Sequence, residues 1–287
     1  MSDVSPQGSA GQGQLNEPPL LSIEGISVRF AGVKALTDIS FHVKPGELFA
    51  VIGPNGAGKT SLFNVLSRVY QPVSGNVTFD GRDLLQLKTY QVARVGIART
   101  FQNLGQFPNT TVLDYLLLGR HTRMRSGILL GGLYVGMASK EEKKNRAYCL
   151  HLLELLELAR WRNFPLRSLP YGLQKRADIA RALALEPKLL LLDEPVAGMN
   201  RDETEDIAAV ILDIKEQLGV TQILVEHDMA LVMGIADRVL VLDFGRIIAQ
   251  GVPAEVQSNP DVIKAYLGEE FSIRTTDDMS IPADNSR

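Results

Sequence analysis

Residues Gly53-Pro54-Asn55-Gly56-Ala57-Gly58-Lys59-Thr60-Ser61 fit the phosphate-loop pattern G-x-x-x-x-G-K-[ST]. The run Glu47 to Ile52 before them reads as a buried strand, and Ser61 to Leu66 after them as the start of a helix. The pattern needs that strand–loop–helix context to work. Glycines at 53, 56 and 58 let backbone N–H groups converge on phosphate oxygens without Cβ clashes. The following helix points its positive end at the same anion. Lys59 adds a point charge for the outer phosphates, and Thr60 offers a hydroxyl to the Mg2+ that accompanies them. Pro54, Asn55, Ala57 and Ser61 complete this candidate nucleotide cradle.

Outward from the loop, strand patterns alternate with helical ones. Leu21 to Phe30 and Leu36 to Val43 read as strands, and Lys44-Pro45-Gly46-Glu47 as the turn into the strand before the loop. Asn76 to Phe79 is a short strand closed by the hairpin turn Asp80-Gly81. Gln86 to Arg94 reads as helix and Gly96 to Phe101 as strand. Thr110 to Arg120, Ser139 to Arg160 and Tyr171 to Leu185 read as helices. Lys188 to Leu192 is an unbroken apolar run, as expected of a parallel strand buried on both faces. Helix Arg201 to Leu218, strand Thr221 to Val225, helix Met229 to Ile235, strands Arg238 to Leu242 and Arg246 to Gln250, and a helix capped by Asn259-Pro260-Asp261 complete the pattern. This predicts an α/β fold with a mainly parallel core sheet, interrupted by a helical insertion. Residues 1–19 and 269–287 read as polar tails, the first rich in Gly, Ser, Gln and Pro and expected to be disordered.

Three more pieces belong with the loop. Asp193 ends the leucine strand, at the edge where open α/β sheets bind ligands, and is placed to hold Mg2+. Glu194 follows it and can orient and deprotonate a water attacking the terminal phosphate. His227 follows another apolar strand and can hydrogen-bond that phosphate or the water. Gln102 ends a further strand and could reach the metal or the water. His42, His121 and His151 have no such placement, and no Cys/His metal spacing occurs.

The composition is ordinary: 45% apolar and 22% charged residues, enough for a large core without disulfides. A net charge of −3 gives no nucleic-acid footprint. The single cysteine, Cys149, sits in a helical pattern and reads as a small core residue. No apolar run approaches the roughly 18 residues of a membrane span. The N-terminal segment has neither the basic start nor the apolar stretch of a signal peptide. The uncharged stretch 127–138 reads as a loop or short helix on its own domain, or else as a contact surface for a partner.

Phosphate loop, glutamine after a strand, a short motif opening a helix, Leu189-Leu190-Leu191-Leu192-Asp193-Glu194-Pro195, and histidine after a strand occur in the order of ATP-binding cassette (ABC) ATPases. The resemblance covers 20–268. Arg99-Thr100-Phe101-Gln102-Asn103, Leu169-Pro170-Tyr171-Gly172-Leu173-Gln174-Lys175-Arg176, Glu226-His227-Asp228-Met229 and the ending Asn259 to Gly268 resemble the LivG-type subunit of branched-chain amino acid importers. The family implies a P-loop NTPase core, an N-terminal antiparallel β part and an inserted helical subdomain at about 103–185. It implies ATP and Mg2+ as ligands, with Glu194, His227 and Gln102 catalytic and Thr60, Gln102 and Asp193 at the metal. Phe30 resembles the aromatic that stacks on adenine.

Two cassettes of this family close head to tail, so that each ATP meets one chain's phosphate loop and the other's signature. Pro170, Tyr171, Gly172 and Gln174 would form that signature here. The implied partners are a second, related ATPase chain, two transmembrane permease subunits and, indirectly, a substrate-binding protein, at the cytoplasmic face of the inner membrane. A groove near Gln102 and Phe107-Pro108-Asn109 would receive the membrane subunit. The sequence departs from the general family pattern at Pro170, which lacks the usual serine hydroxyl, and at Asn200, where an aspartate is common. Both put equivalence of the two ATP sites in doubt.

Other readings remain. The transported solute could be urea, an amide or an aromatic acid, since it never touches this chain. A soluble ABC ATPase of DNA repair would need a long coiled coil between phosphate loop and signature, for which 62–168 is too short. One of translation would carry two cassettes. A P-loop kinase gives no reason for the Pro170–Gln174 motif or His227.

Overall fold

A computed structural model describes residues 18–101, 110–120 and 135–266, with side chains from 141 onward in the last stretch. Among the described residues ten strands form two sheets. β1 (Leu21–Phe30), β2 (Val33–Val43), β4 (Ser74–Phe79) and β5 (Arg82–Asp83) make an antiparallel sheet in the order β2-β1-β4-β5. The larger sheet contains β3 (Leu48–Ile52), β6 (Ile97–Arg99), β7 (Leu189–Asp193), β8 (Thr221–Val225), β9 (Arg238–Asp243) and β10 (Arg246–Gly251), in the order β10-β9-β3-β8-β7-β6. All neighbours in it are parallel except the β9–β10 hairpin. The expected mainly parallel core with an antiparallel N-terminal part is what is found.

The leucine run shows why strand residues here are apolar without alternation. Leu189 and Leu191 face a core shared with the antiparallel sheet and α1 (Lys59–Leu66), while Leu190 and Leu192 face a second core on the opposite side. β3 divides the same way, with Phe49 and Val51 on one side and Leu48, Ala50 and Ile52 on the other. The side-chain period of two is intact; both faces are dry.

The second core is filled by helices: α3 (Val112–Arg120), α4 (Val135–Leu155), α5 (Tyr171–Leu183), α6 (Arg201–Leu218) and α7 (Met229–Ile235). α6 buries Ile207, Val210, Ile211 and Ile214, one helical stripe. Asn200 and Glu203 form its reciprocal capping box, and Gly219 ends it in the left-handed region at φ 62°. Buried Arg120 ties three segments by bonding Asn145 on α4 at 2.8 and 3.0 Å, the Ala184 carbonyl at 2.9 Å, and Glu186.

Several elements differ from expectation. The helix expected over 86–94 is a short turn at Leu84–Gln86 followed by α2 (Thr89–Val95). Asp83 caps the turn, and the chain is extended at Leu87 and Lys88 before α2 begins. The strand expected over 96–101 shortens at both ends to β6, and Gly96 is instead the left-handed cap of α2. α4 starts at Val135, inside the uncharged stretch, and ends at Leu155, not Arg160, since Glu157 turns to positive φ. α8 (Pro253–Gln257) was not foreseen, being too short to show a period. The foreseen last helix, α9, spans 260–266, and the Asn259 side chain accepts from the Asp261 N–H at 2.9 Å. Segments 1–17, 102–109, 121–134 and 267–287 lie outside the described residues, and with them Gln102, Phe107, Asn109, most of 127–138 and both tails.

Candidate functional site

β3 runs directly into the phosphate loop, and α1 begins at Lys59 with Gly58 as a left-handed cap at φ 107°. No side chain caps that end, so first-turn N–H groups are left for an anion. Gly53 and Gly58 are required by space as well as by φ. A Cβ on Gly53 would stand 2.0 Å from the Leu242 carbonyl oxygen, and one on Gly58 2.7 Å from that of Ala35. The loop is thus pressed against β9 and β2, and the Gly245 N–H supports it through the Ala57 carbonyl at 2.9 Å. Asn55, Gly56 and Thr60 are exposed on its outer side. Lys59 is only 6% exposed and curls back, donating to the carbonyls of Gly53 at 2.6 Å and Pro54 at 3.0 Å.

Strand register brings the other candidates to this edge. Val51 on β3 pairs with Val225 on β8, and Val225 pairs with Asp193 on β7. Asp193 is 1% exposed. Its Oδ2 accepts from Arg99 Nη2 at 2.6 Å, while Oδ1 is buried with no hydrogen-bond partner among the described residues. Arg99 also donates to Asn64 on α1 at 2.8 Å, so one guanidinium fork joins β6, β7 and the phosphate-loop helix. Glu194, partly exposed, has φ 47°, a left-handed conformation that costs a non-glycine residue about 1–3 kcal/mol. Its N–H donates to the Val225 carbonyl at 2.9 Å.

His227 opens the turn after β8, its side chain 59% exposed, with Nδ1 3.6 Å from Glu226 Oε2. Glu226 itself is fully buried. Burial pushes its carboxyl upward from the usual carboxylate range and the Glu194 charge adds to this; backbone N–H groups of Val196 and His227 and the His227 charge work the other way. Asp228 then caps α7 by accepting from the Leu231 N–H at 3.0 Å.

Pro170 and Tyr171 open α5 with no side-chain cap, again leaving first-turn N–H groups for an anion. Gln174 bonds the Leu169 carbonyl at 2.8 Å, and Gly172 lies against Glu203 of the α6 capping box. Farther along α5, buried Asp178 accepts from the Phe101 N–H at 2.5 Å, the Tyr115 hydroxyl at 2.8 Å and Arg181 Nε at 2.8 Å. Arg181 reaches the Arg99 carbonyl at 2.9 Å. The end of β6 is therefore clamped to α5.

Comparison with known proteins bears on this arrangement. The ABC transporter family model matches residues 36–197, more than half of the chain. The chain is 39% identical over 251 residues to the high-affinity branched-chain amino acid transport ATP-binding proteins BraF of Pseudomonas aeruginosa and LivG of Escherichia coli. In each case the match covers 88% of this chain and 98% of the relative. The chain belongs to the ABC transporter ATP-binding family. A model of the branched-chain amino acid ATP-binding cassette transporter matches 246–272. An ATP-binding cassette of an ABC transporter in its ADP conformation shares the fold with TM-score 0.77 and 31% identity, over 88% of this chain and 100% of that one. A nucleotide-free cassette matches with TM-score 0.76 and 31% identity, over 87% of this chain and 99% of that one.

As an ABC ATPase the chain binds nucleotide, and its residues also fit a metal. A buried carboxylate oxygen without a partner among the described residues, Asp193 Oδ1, is what a Mg2+ shell would use. Phe30 is 41% exposed at the tip of β1, its ring edge-on to Tyr70 at 4.6 Å, which leaves part of the ring open. Asn200 finds a use that an aspartate would serve equally: its side chain caps α6. Sequence reasoning gave no role to Arg99, Glu226 or Asp178. Arg99 and Glu226 each open a quoted stretch and Asp178 lies just past one, and only three-dimensional contacts show what their charges do.

Proposed function

We propose that this ABC ATPase binds ATP with Mg2+ at the carboxyl edge of its parallel strands and hydrolyses it to drive uptake of branched-chain amino acids. The observation that carries the reading is the gathering of the phosphate loop, Asp193, Glu194 and His227 at one sheet edge. The names of the relatives and the match at 246–272 support the solute class.

In this reading Gly53–Ser61 wrap the phosphates with backbone N–H groups, and Lys59 leaves its two loop carbonyls for the outer phosphates. Thr60, Gln102 and Asp193 would hold the metal, which would supply positive charge to the outer phosphates. Glu194 orients the attacking water and takes its proton, while His227 bonds the terminal phosphate. Phe30 stacks on adenine. Residues 20–268 form the cassette, with the helical insertion at about 103–185. Pro170, Tyr171, Gly172 and Gln174 offer the α5 N-terminus to nucleotide held by a second ATPase chain.

The further partners are two transmembrane permease subunits and a substrate-binding protein, with this chain peripheral at the cytoplasmic face of the inner membrane. Among the described residues no helix is long and apolar enough to cross a membrane. The test is reconstitution with those partners in vesicles. ATP-dependent uptake of leucine, abolished by Lys59→Ala, is expected; transport of urea or an amide but not leucine would overturn the solute assignment.

A further inference from the structure

Glu226 has no exposure to solvent, yet it lies between the two strand ends that carry the candidate catalytic groups. β7 and β8 are still paired at Asp193 and Val225, and beyond that pair the chain diverges into two turns. The Glu226 carboxylate spans them. Oε1 accepts from the Val196 N–H at 3.0 Å, two residues past Glu194, and Oε2 accepts from the His227 N–H at 3.1 Å. The His227 ring presents Nδ1 to that same oxygen at 3.6 Å.

We propose that Glu226 is a positioning residue for hydrolysis: its carboxylate clips the Glu194 turn to the His227 turn and so sets the spacing of carboxylate and imidazole across the terminal phosphate. This rests on Glu194 and His227 acting as assigned above. Both turns need an anchor. Glu194 sits in a left-handed conformation that persists only where its surroundings hold it. A buried carboxylate costs more than an apolar side chain of its size, so packing alone gives no reason for one here. Two equivalent oxygens on a three-bond stem suit two backbone N–H groups. A glutamine turns an NH2 toward one of them, and an aspartate is one methylene short of reaching both.

The experiment compares purified full-length Glu226→Gln and Glu226→Asp with the parent, measuring kcat, KM, the Kd of a fluorescent ATP analogue, and 15N signals of the His227 ring. Both variants are expected to lose kcat by about tenfold or more, as small displacements at a reacting centre do. KM and Kd should stay within about twofold of the parent, the mark of an interaction that serves the transition state. The His227 ring signals should move, which a remote packing defect would not cause. Full kcat in either variant, a loss confined to KM and Kd, or unmoved His227 signals would overturn the proposal. The aspartate chain decides alone if the glutamine chain does not fold. Glu194→Gln and His227→Ala run in parallel: if they keep parental turnover, the catalytic assignment itself fails, whereas if they lose it and Glu226→Gln does not, only this inference fails.

Discussion

Arg99 and Asp193 meet at 2.6 Å through one nitrogen and one oxygen, and the other oxygen of Asp193 is buried without a partner among the described residues. One half of the carboxylate is neutralised by the fold; the other is buried and left over by it. Arg99→Met would leave Asp193 as an uncompensated buried charge, and the expected loss is about 3–5 kcal/mol in urea denaturation. The same change in an Asp193→Asn background should cost far less, because the charge is gone. Equal losses in both backgrounds would show that Arg99 acts through packing.

Gly53 and Gly56 both have positive φ, at 148° and 79°, but different surroundings. A Cβ at 53 collides with the Leu242 carbonyl oxygen, whereas at 56 none of the described residues lies within 4 Å. Gly53→Ala should cost about 3 kcal/mol or more and lose nucleotide binding; Gly56→Ala should cost about 1 kcal/mol, the backbone strain alone. Thermal unfolding with and without ATP measures both.

Cys149 is fully buried on α4, and burial pushes its thiol up to about 11. The native chain should resist a thiol reagent at pH 8 and react once unfolded. The folded thiol holds its proton above the unfolded value of 9.0, so its contribution to stability is complete below pH 9 and is lost between pH 9 and about 11. Cys149→Ala should flatten that alkaline decline.

Much of this molecule was legible because its signals are local. Helices at 201–218 and 229–235 and the strand at 221–225 lie where their periodicity and caps put them. The phosphate loop, Asp193, Glu194 and His227 stand out as candidates in the sequence because each lies at or just past the end of an apolar strand. What escaped depends on contacts far apart in sequence. Arg99 pairs with a residue 94 positions on, and Asp178 bonds an N–H 77 positions back. Glu226 shows no role in the sequence because nothing beside it announces that Val196, 30 residues earlier, lies within bonding distance. Boundaries slipped where a single residue turns to positive φ, as at Glu157, which no apolar period reports.

Asn200 caps α6 through the Glu203 N–H at 3.0 Å. Asn200→Ala should cost about 1 kcal/mol, and Asn200→Asp should be neutral or slightly stabilising beside the helix's positive end. Chemical denaturation of the two variants checks this. A loss with aspartate as large as with alanine would mean the side chain serves something other than the cap.

The central claim, that Glu194 splits ATP held by the phosphate loop, is tested most directly by assaying Glu194→Gln for ATP binding and hydrolysis in one preparation. ATP should bind with parental affinity while phosphate release falls by about a hundredfold or more, since the general base alone is removed. Phosphate release at the parental rate would contradict the account.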